Sequence, residues 1–467
     1  MKKMVKVVAL IAVLALSASL FAGCGAGGSD KNENGQTVIS VGSWPTKESK
    51  ALTDIEARKA RFEEANPDVV IEPDTWGFDR KTFYAKAAGG QLPTIFNTAF
   101  TEVPEIISSE YSADLAKIMK KRGYDGKLNP NILEMVSDGD KILAFPTNSY
   151  ILGIAFNAEL FEKAGLLEAD GTPKQPKDWN EMVEMAVTIK EKTGKAGLVL
   201  PTANRSGGWI FTSIAWSFGV DFMEKDADGK WKATFNTPEA AEALQFYKDL
   251  KWKYDVLPTN TLIDSNEWYK TYGVGAAGMT VTAGDYPGKV VKFGMTPDQV
   301  GMMAIPAGPK RHVTLLGGDV QAVKAGSTDD QIDAAIRWIE TAYTSDLTDE
   351  YKKNMEDRIT KNLSDNQHVG IQAMSPWSEE SEALNWYRKL VEDNTNSNIN
   401  HVRLYNECVM NCPFEIQAEE PVSCQELYAI LDGCLQEVLS NKDADVVALL
   451  EKANNDFQVN YLDNMNL

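Results

Sequence analysis

Gly273-Val274-Gly275-Ala276-Ala277-Gly278 matches G-x-G-x-x-G letter for letter. A dinucleotide site needs a strand before such glycines and a helix after them, so that the pyrophosphate meets the helix N-terminus. Here the order is reversed. The helix-like Asn266 to Tyr272 precedes and the strand-like Met279 to Thr282 follows, so the glycines read as a tight helix-to-strand turn. The three histidines, His312, His368 and His401, lie far apart, and no Walker A, H-E-x-x-H or G-x-S-x-G stretch occurs. Serine hydrolysis through a histidine base and zinc catalysis therefore lack their parts. Asp226-Ala227-Asp228-Gly229 begins like a calcium loop but lacks the later ligands and the closing Glu. A hairpin turn before Lys230-Trp231-Lys232 is the better reading. A glycosidase-type carboxylate pair stays open, since any two of the 67 acids can meet in space. No cofactor and no metal site is expected.

Met1 to Lys6 is basic and Val7 to Ala22 is almost unbroken apolar sequence. This run is shorter than the roughly 20 residues that span a bilayer and no basic stop-transfer cluster follows it, so residues 1–23 read as a secretion signal. Leu20-Phe21-Ala22-Gly23-Cys24 resembles a bacterial lipobox, with Phe21 where leucine is usual. That resemblance implies cleavage before Cys24 and a diacylglyceryl group on its sulfur. Two acyl chains, at about 0.8 kcal/mol per buried CH₂, hold a protein at a membrane surface where one does not. An ordinary signal with an incidental cysteine is the alternative. Residues 24–36, rich in Gly, Ser, Asn and Lys, read as a flexible tether.

The remaining cysteines, Cys408, Cys412, Cys424 and Cys434, fall close together near the C-terminus. An even number in an exported chain suggests two disulfides, in any of three pairings. Free thiols and a metal site are the alternatives, the latter disfavoured by C-x₃-C spacing and by having only His401 near.

The formal charge of the 467 residues is −20, and loss of residues 1–23 removes three lysines and no acid, giving −23. Nucleic acid is thereby disfavoured as a partner, because phosphate binding needs a basic surface. The length exceeds one ordinary core and predicts two domains, and 43 aromatic residues with long periodic helices predict a globular chain.

The candidate residues need elements to hold them. Strands are expected at Thr37 to Gly42, Val69 to Ile71 and Thr94 to Asn97, with helices at Lys50 to Ala65 and Lys81 to Ala88 between them. This βαβαβ order predicts a parallel sheet with helices on its faces. Further strands are expected at Asp140 to Phe145, Ile151 to Phe156, Ala196 to Leu200, Gly278 to Thr282, Val300 to Ile305 and Val313 to Val323. Helices are expected at Ala158 to Ala164, 178–193, 237–254 and Asp330 to Tyr343, the last with Ile332, Ala335, Ile336 and Ile339 on one face. Helices then dominate to the end.

Three pieces in this order resemble the family 1 extracellular solute-binding proteins of ABC importers, over nearly the whole mature chain. Asp138 to Pro146 resembles the family's first interdomain crossing. Ile154 to Phe161 resembles its strand-to-helix entry, with Phe156 where tyrosine is common. Gly275 to Thr280 resembles the run leading into a cleft-lining strand. The resemblance implies a two-lobed α/β fold, each lobe a mostly parallel sheet flanked by helices, with the ligand in the cleft between lobes. It implies an N-terminal lobe of 37–146 plus about 305–350 and a C-terminal lobe of 147–304 plus about 351–467, closing by a hinge motion.

A neutral sugar presents apolar C–H faces and many hydroxyls, so its site needs flat aromatic platforms and planar polar groups at strand ends. Trp44, Asn97, Phe100, Tyr150, Trp209, Asp285, Tyr286, Gly318 and Asp319 match places where the family puts cleft contacts. Trp216 lies among apolar neighbours and is read as either core or platform. The expected protein is monomeric and anchored through Cys24 on the outer face of the cell membrane. It captures a solute, an oligosaccharide above others, for an ABC permease. A surface glycan-degrading enzyme and an adhesive lipoprotein are the rivals.

Overall fold

A computed structural model of the chain describes residues 30–465. The secretion signal and Cys24 lie outside the described residues. The fold divides into two compact units, one of residues up to Asn97 with Ala322–Thr341, the other of Thr98–Gln321 with Ala342 onward.

In the first unit, strand β1 (Thr37–Val41) pairs in parallel with both β2 (Val69–Pro73) and β3 (Ile95–Ala99). Alternate residues of β1 are buried, as a strand with one covered face requires. The helix Lys50–Ala65 starts where the Ser49 hydroxyl accepts the Leu52 N–H and stops before Pro67. The helix Asp329–Glu340 opens with a reciprocal cap between Thr328 and Gln331 and buries the predicted stripe of Ile332, Ala335, Ile336 and Ile339. Its Trp338 stacks on Trp44 with ring centroids 6.2 Å apart and takes the edge of Phe62 at 5.4 Å. The end of the expected tether is folded here. Asn32 and Gln36 close a turn, and Lys31 pairs with Asp330 at 3.0 Å.

The second unit holds β4 (Phe145–Asn157), β5 (Ala196–Leu198), the hairpin of β6 (Met223–Lys225) and β7 (Trp231–Ala233), then β8 (Ala277–Ala283), β9 (Val300–Ala304), all but the last two residues of β10 (Val313–Val323), and β11 (Glu415–Ala418). Of the strand expected at Asp140 to Phe145, Lys141–Ile142 forms a separate short hairpin strand with Ser137–Asp138, and only Phe145 belongs to β4, which runs on through the second expected strand. Pro146 faces Val320 where the register with β10 shifts, so its missing N–H falls at an irregularity in the ladder. β8, β9 and β10 all pair with β4 antiparallel, whereas β8 with β5 and β10 with β11 are parallel. The α/β class stands, but the mostly parallel sheet implied for this part of the chain is mixed. Strand direction follows the route of each return, which local sequence does not encode.

The G-x-G-x-x-G glycines follow the helix Ser265–Gly273 and precede β8, with Gly275 at φ +68 in the turn. The β6–β7 hairpin closes through the Asp226 carboxylate, which accepts the N–H groups of Asp228 and Lys230. The sequence expectation lacks β11, the short helices Val103–Ser108, Ala116–Lys121 and Pro130–Met135, and the helix Ser206–Ser217, whose residues are buried almost all round, so no amphipathic stripe marks it.

Burial holds His368 neutral, its pKa pushed down to about 4, with the neighbouring His401 acting in the same direction. A histidine depressed in the fold gives stability that is present above its unfolded pKa and lost as pH falls toward the folded one. His368 is therefore expected to contribute up to about 3 kcal/mol above pH ~6.5, disappearing toward pH ~4. Denaturant melts of wild type and His368→Gln across this range check it: their difference should shrink steadily as the pH drops.

Candidate functional site

The second unit contains a cavity of about 850 Å³. This lies toward the upper end of the roughly 300–1,000 Å³ usual for ligand pockets, room for more than a single small solute. One wall is β11 and the residues that follow it, Glu419 and Glu420 among them. Glu134 and Asp138 belong to another part of the lining, and Lys225 and Trp231 of the β6–β7 hairpin to a third.

The carboxylates are placed by elements on either side. β11 pairs with β10 from Val313↔Glu415 to Leu316↔Ala418, which leaves Glu419 and Glu420 just beyond the carboxyl end of the strand. Pro421 follows, and Ser423 at φ +47 turns the chain into the helix Cys424–Ser440. Glu420 is 7% exposed, and its Oε1 accepts the indole N–H of Trp216 at 2.9 Å. Glu419 accepts the Tyr428 hydroxyl at 2.8 Å and a bond from Thr101. Burial pushes both carboxyls up to about 7, with these hydrogen bonds opposing the rise.

Within electrostatic reach of Glu419, outside the cavity lining, stands an aromatic pair. The rings of Tyr150, on β4, and Trp209 lie 6.3 Å apart and nearly perpendicular at 85°. Gly317 faces Tyr150 in the ladder, and a Cβ there would come within 2.4 Å of the phenol ring. Only glycine leaves room for that ring against the strand. Burial raises the Tyr150 pKa, and the nearby charges of Glu419, Asp285 and Asp319 raise it further. Three carboxylates thus gather within electrostatic reach of one hydroxyl.

Trp209 is held by its own helix, Ser206–Ser217. The residue before it, Arg205, has φ +70 and offers no side-chain cap. Asp432, from the helix Cys424–Ser440, supplies one: its oxygens accept the N–H groups of Arg205 at 2.5 Å and Gly208 at 2.7 Å. A Cβ on Gly208 would sit 2.3 Å from the Tyr428 carbonyl oxygen, so the two helices meet backbone to backbone.

The expected site residues divide accordingly. Tyr150, Trp209, Asp285 and Asp319 share one neighbourhood, with Asp285 paired to Lys289 at 2.8 Å and Asp319 accepting from Asn148 at 2.6 Å. Trp216 is fully buried and serves Glu420. Tyr286 is buried among Trp268, Tyr269 and Tyr272. Phe100 is buried too, in reach of Gly318, where any Cβ would meet the Asn148 carbonyl oxygen at 2.3 Å. Asn97 is exposed on β3 in the first unit. Trp44, expected as a platform, is only 4% exposed and donates its indole N–H to Glu56 at 3.0 Å, so its face belongs to the core of the first unit. Missing from the expectation are Glu419, Glu420, Lys225 and Trp231. The alternation in Glu415-Ile416-Gln417-Ala418 before Pro421 is the one local signal that marks the first two.

The four C-terminal cysteines are free thiols, which corrects the expectation of two disulfides. Cys424 and Cys434 lie on one helix ten residues apart, about 15 Å along its axis, far beyond the span of a disulfide. Cys408 and Cys412 bring their sulfurs to 3.7 Å. Among the described residues, no three His, Cys, Asp or Glu side chains gather to hold a metal, and no helix is long and apolar enough to cross a membrane.

Solved structures share this architecture. The maltose-bound MalE3 of T. maritima superposes with a TM-score of 0.61 at 20% identity, covering 90% of this chain and 98% of that one. UgpB from Mycobacterium tuberculosis, in complex with glycerophosphocholine, gives 0.65 at 16% over 90% and 98%. The fold is that of the periplasmic binding proteins. Residues 45–348 match the family model described as bacterial extracellular solute-binding protein, and the chain belongs to that family. Among curated proteins, YcjN of Escherichia coli (strain K12), named as an ABC transporter periplasmic-binding protein, is 26% identical over 276 residues, 56% of each chain. The sn-glycerol-3-phosphate-binding periplasmic protein UgpB of Salmonella typhimurium (strain LT2) is 24% identical over 284 residues, 58% of this chain and 62% of that one. The match thus spans less than two thirds of either relative.

Proposed function

We propose that this protein captures a carbohydrate, an oligosaccharide by the size of the cavity, outside the cytoplasm and delivers it unchanged to the permease of an ABC importer. The observation that carries the reading is the perpendicular Tyr150–Trp209 pair with Glu419, Asp285 and Asp319 in electrostatic reach of it, Glu419 also lining a separate cavity of about 850 Å³. Aromatic faces suit the C–H surfaces of a sugar ring, and carboxylate oxygens accept from its hydroxyls. The maltose in MalE3 and the transporter name of YcjN support the same reading. Capture follows from a hinge between a lobe of 37–146 with about 305–350 and a lobe of 147–304 with about 351–467, the guest stabilising the closed state by its differential affinity. The protein works as a monomer held at the membrane by a diacylglyceryl group on Cys24.

The test is a melting-temperature screen of the mature protein against maltooligosaccharides, other neutral glycans, peptides and polyamines, with chromatography of the mixtures afterwards. A ligand at a hundred times its dissociation constant adds about 2.7 kcal/mol of stability. A rise with a neutral glycan that is recovered intact supports the proposal. Cleaved glycan would make the chain a glycan-degrading enzyme, and no rise with any glycan would overturn the carbohydrate reading.

A further inference from the structure

We infer that Glu419 and Glu420 make this site selective by charge, accepting uncharged, hydroxyl-rich saccharides and rejecting anionic solutes such as uronates and phosphoesters. The inference rests on the carbohydrate reading above and concerns the same cavity. Glu420 is in the cavity wall, 93% buried by its 7% exposure, with one oxygen already committed to the Trp216 indole. Glu419 beside it is bound only by hydroxyls, those of Tyr428 and Thr101. Among the described residues no ion pair reaches either carboxylate. Arg311, whose charge acts on Glu420 as the smallest of the causes bearing on it, is engaged with Glu415 and Gln417. The one cation in the lining, Lys225, stands on the outer hairpin, 5.0 Å over the ring of Trp231.

At Glu419 and Glu420 the wall offers carboxylate acceptors. Hydroxyl groups of a neutral sugar can turn their hydrogens toward it. A phosphate or carboxylate has no hydrogen to give, and beside Glu419 and Glu420 it would shed its water next to like charges that no ion pair neutralises, the arrangement that excludes a wrong partner by repulsion. Burial pushes both glutamates up to about 7, so the repulsion is fully developed only above that pH and weakens as they take up protons below it.

The experiment is calorimetric titration of the mature protein at pH 8 with maltotriose, with trigalacturonate of the same ring number, and with sn-glycerol 3-phosphate. Both anions are expected to bind at least about 100-fold more weakly than maltotriose. In Glu420→Gln and Glu419→Gln, isosteric changes that keep an acceptor oxygen, that gap should narrow about tenfold or more, and raising the salt from 0.05 to about 0.5 M should narrow it in wild type. Tight binding of either anion by wild type alongside maltotriose would sink the inference and leave the carbohydrate reading standing. So would a gap that neither substitution nor salt alters. Binding of none of the three, or of the anions alone, would remove the carbohydrate reading and the inference with it.

Discussion

Replacing Trp209 by alanine is expected to weaken maltooligosaccharide binding by about 30- to 1,000-fold, the loss of about 2–4 kcal/mol found when a central aromatic anchor is truncated. The ring is half-buried, so it has a face to give, and its partner Tyr150 meets it edge-on at 6.3 Å. Truncation removes a platform and also frees Tyr150 to turn. Calorimetry reads the affinity and a thermal melt reads the fold. The expected signature is a large fall in affinity with a small change in melting temperature, because Trp209 lies at the edge of the core rather than within it. Trp209→Phe should recover part of the affinity, since a smaller flat ring remains. An unchanged dissociation constant in Trp209→Ala would move the sugar elsewhere.

Asp432→Ala carries the largest expected loss of stability, about 2–5 kcal/mol, seen as a drop of several degrees in melting temperature. The residue is 5% exposed and closes the N-terminus of the helix Ser206–Ser217 from a different helix. Its removal leaves the N–H groups of Arg205 and Gly208 without their acceptor, at a contact too tight for water. Gly207 would place any Cβ within 2.6 Å of the same carboxylate. The helix start then loosens, and Trp209, one turn in, loses its seat. Asp432→Ala should therefore weaken sugar binding as well as stability, while Asp432→Asn, which keeps one acceptor oxygen, should fall between the two. A melting curve superposable on wild type would show that the cap is not needed.

Much of the first unit could be read locally. The helix Lys50–Ala65 is bounded by the Ser49 cap and by Pro67, and the helix Asp329–Glu340 by Thr328 and an apolar stripe with a 3.6-residue period. Those signals sit within a few residues of the element they define. The site was legible in part: Tyr150 and Trp209 stood out as aromatic residues, although Tyr150 lies within β4 and the Gly207-Gly208 pair read as a turn lies inside the helix Ser206–Ser217. Trp44 has equally open-looking neighbours in Ser43 and Pro45, yet its indole ends on Glu56 and its face on Trp338, almost three hundred residues further along.

By itself the sequence determined the α/β class and the turn hidden in the G-x-G-x-x-G run, since each depends on residue type or short-range period. The tertiary structure decided which tryptophans are buried, which strands run antiparallel, and that Glu419 and Glu420 face a cavity. These are outcomes of long-range pairing. Glu420 meets Trp216 across 204 positions and Asp432 meets Gly208 across 224. The desolvation that shapes their chemistry exists only once the intervening chain has packed around them.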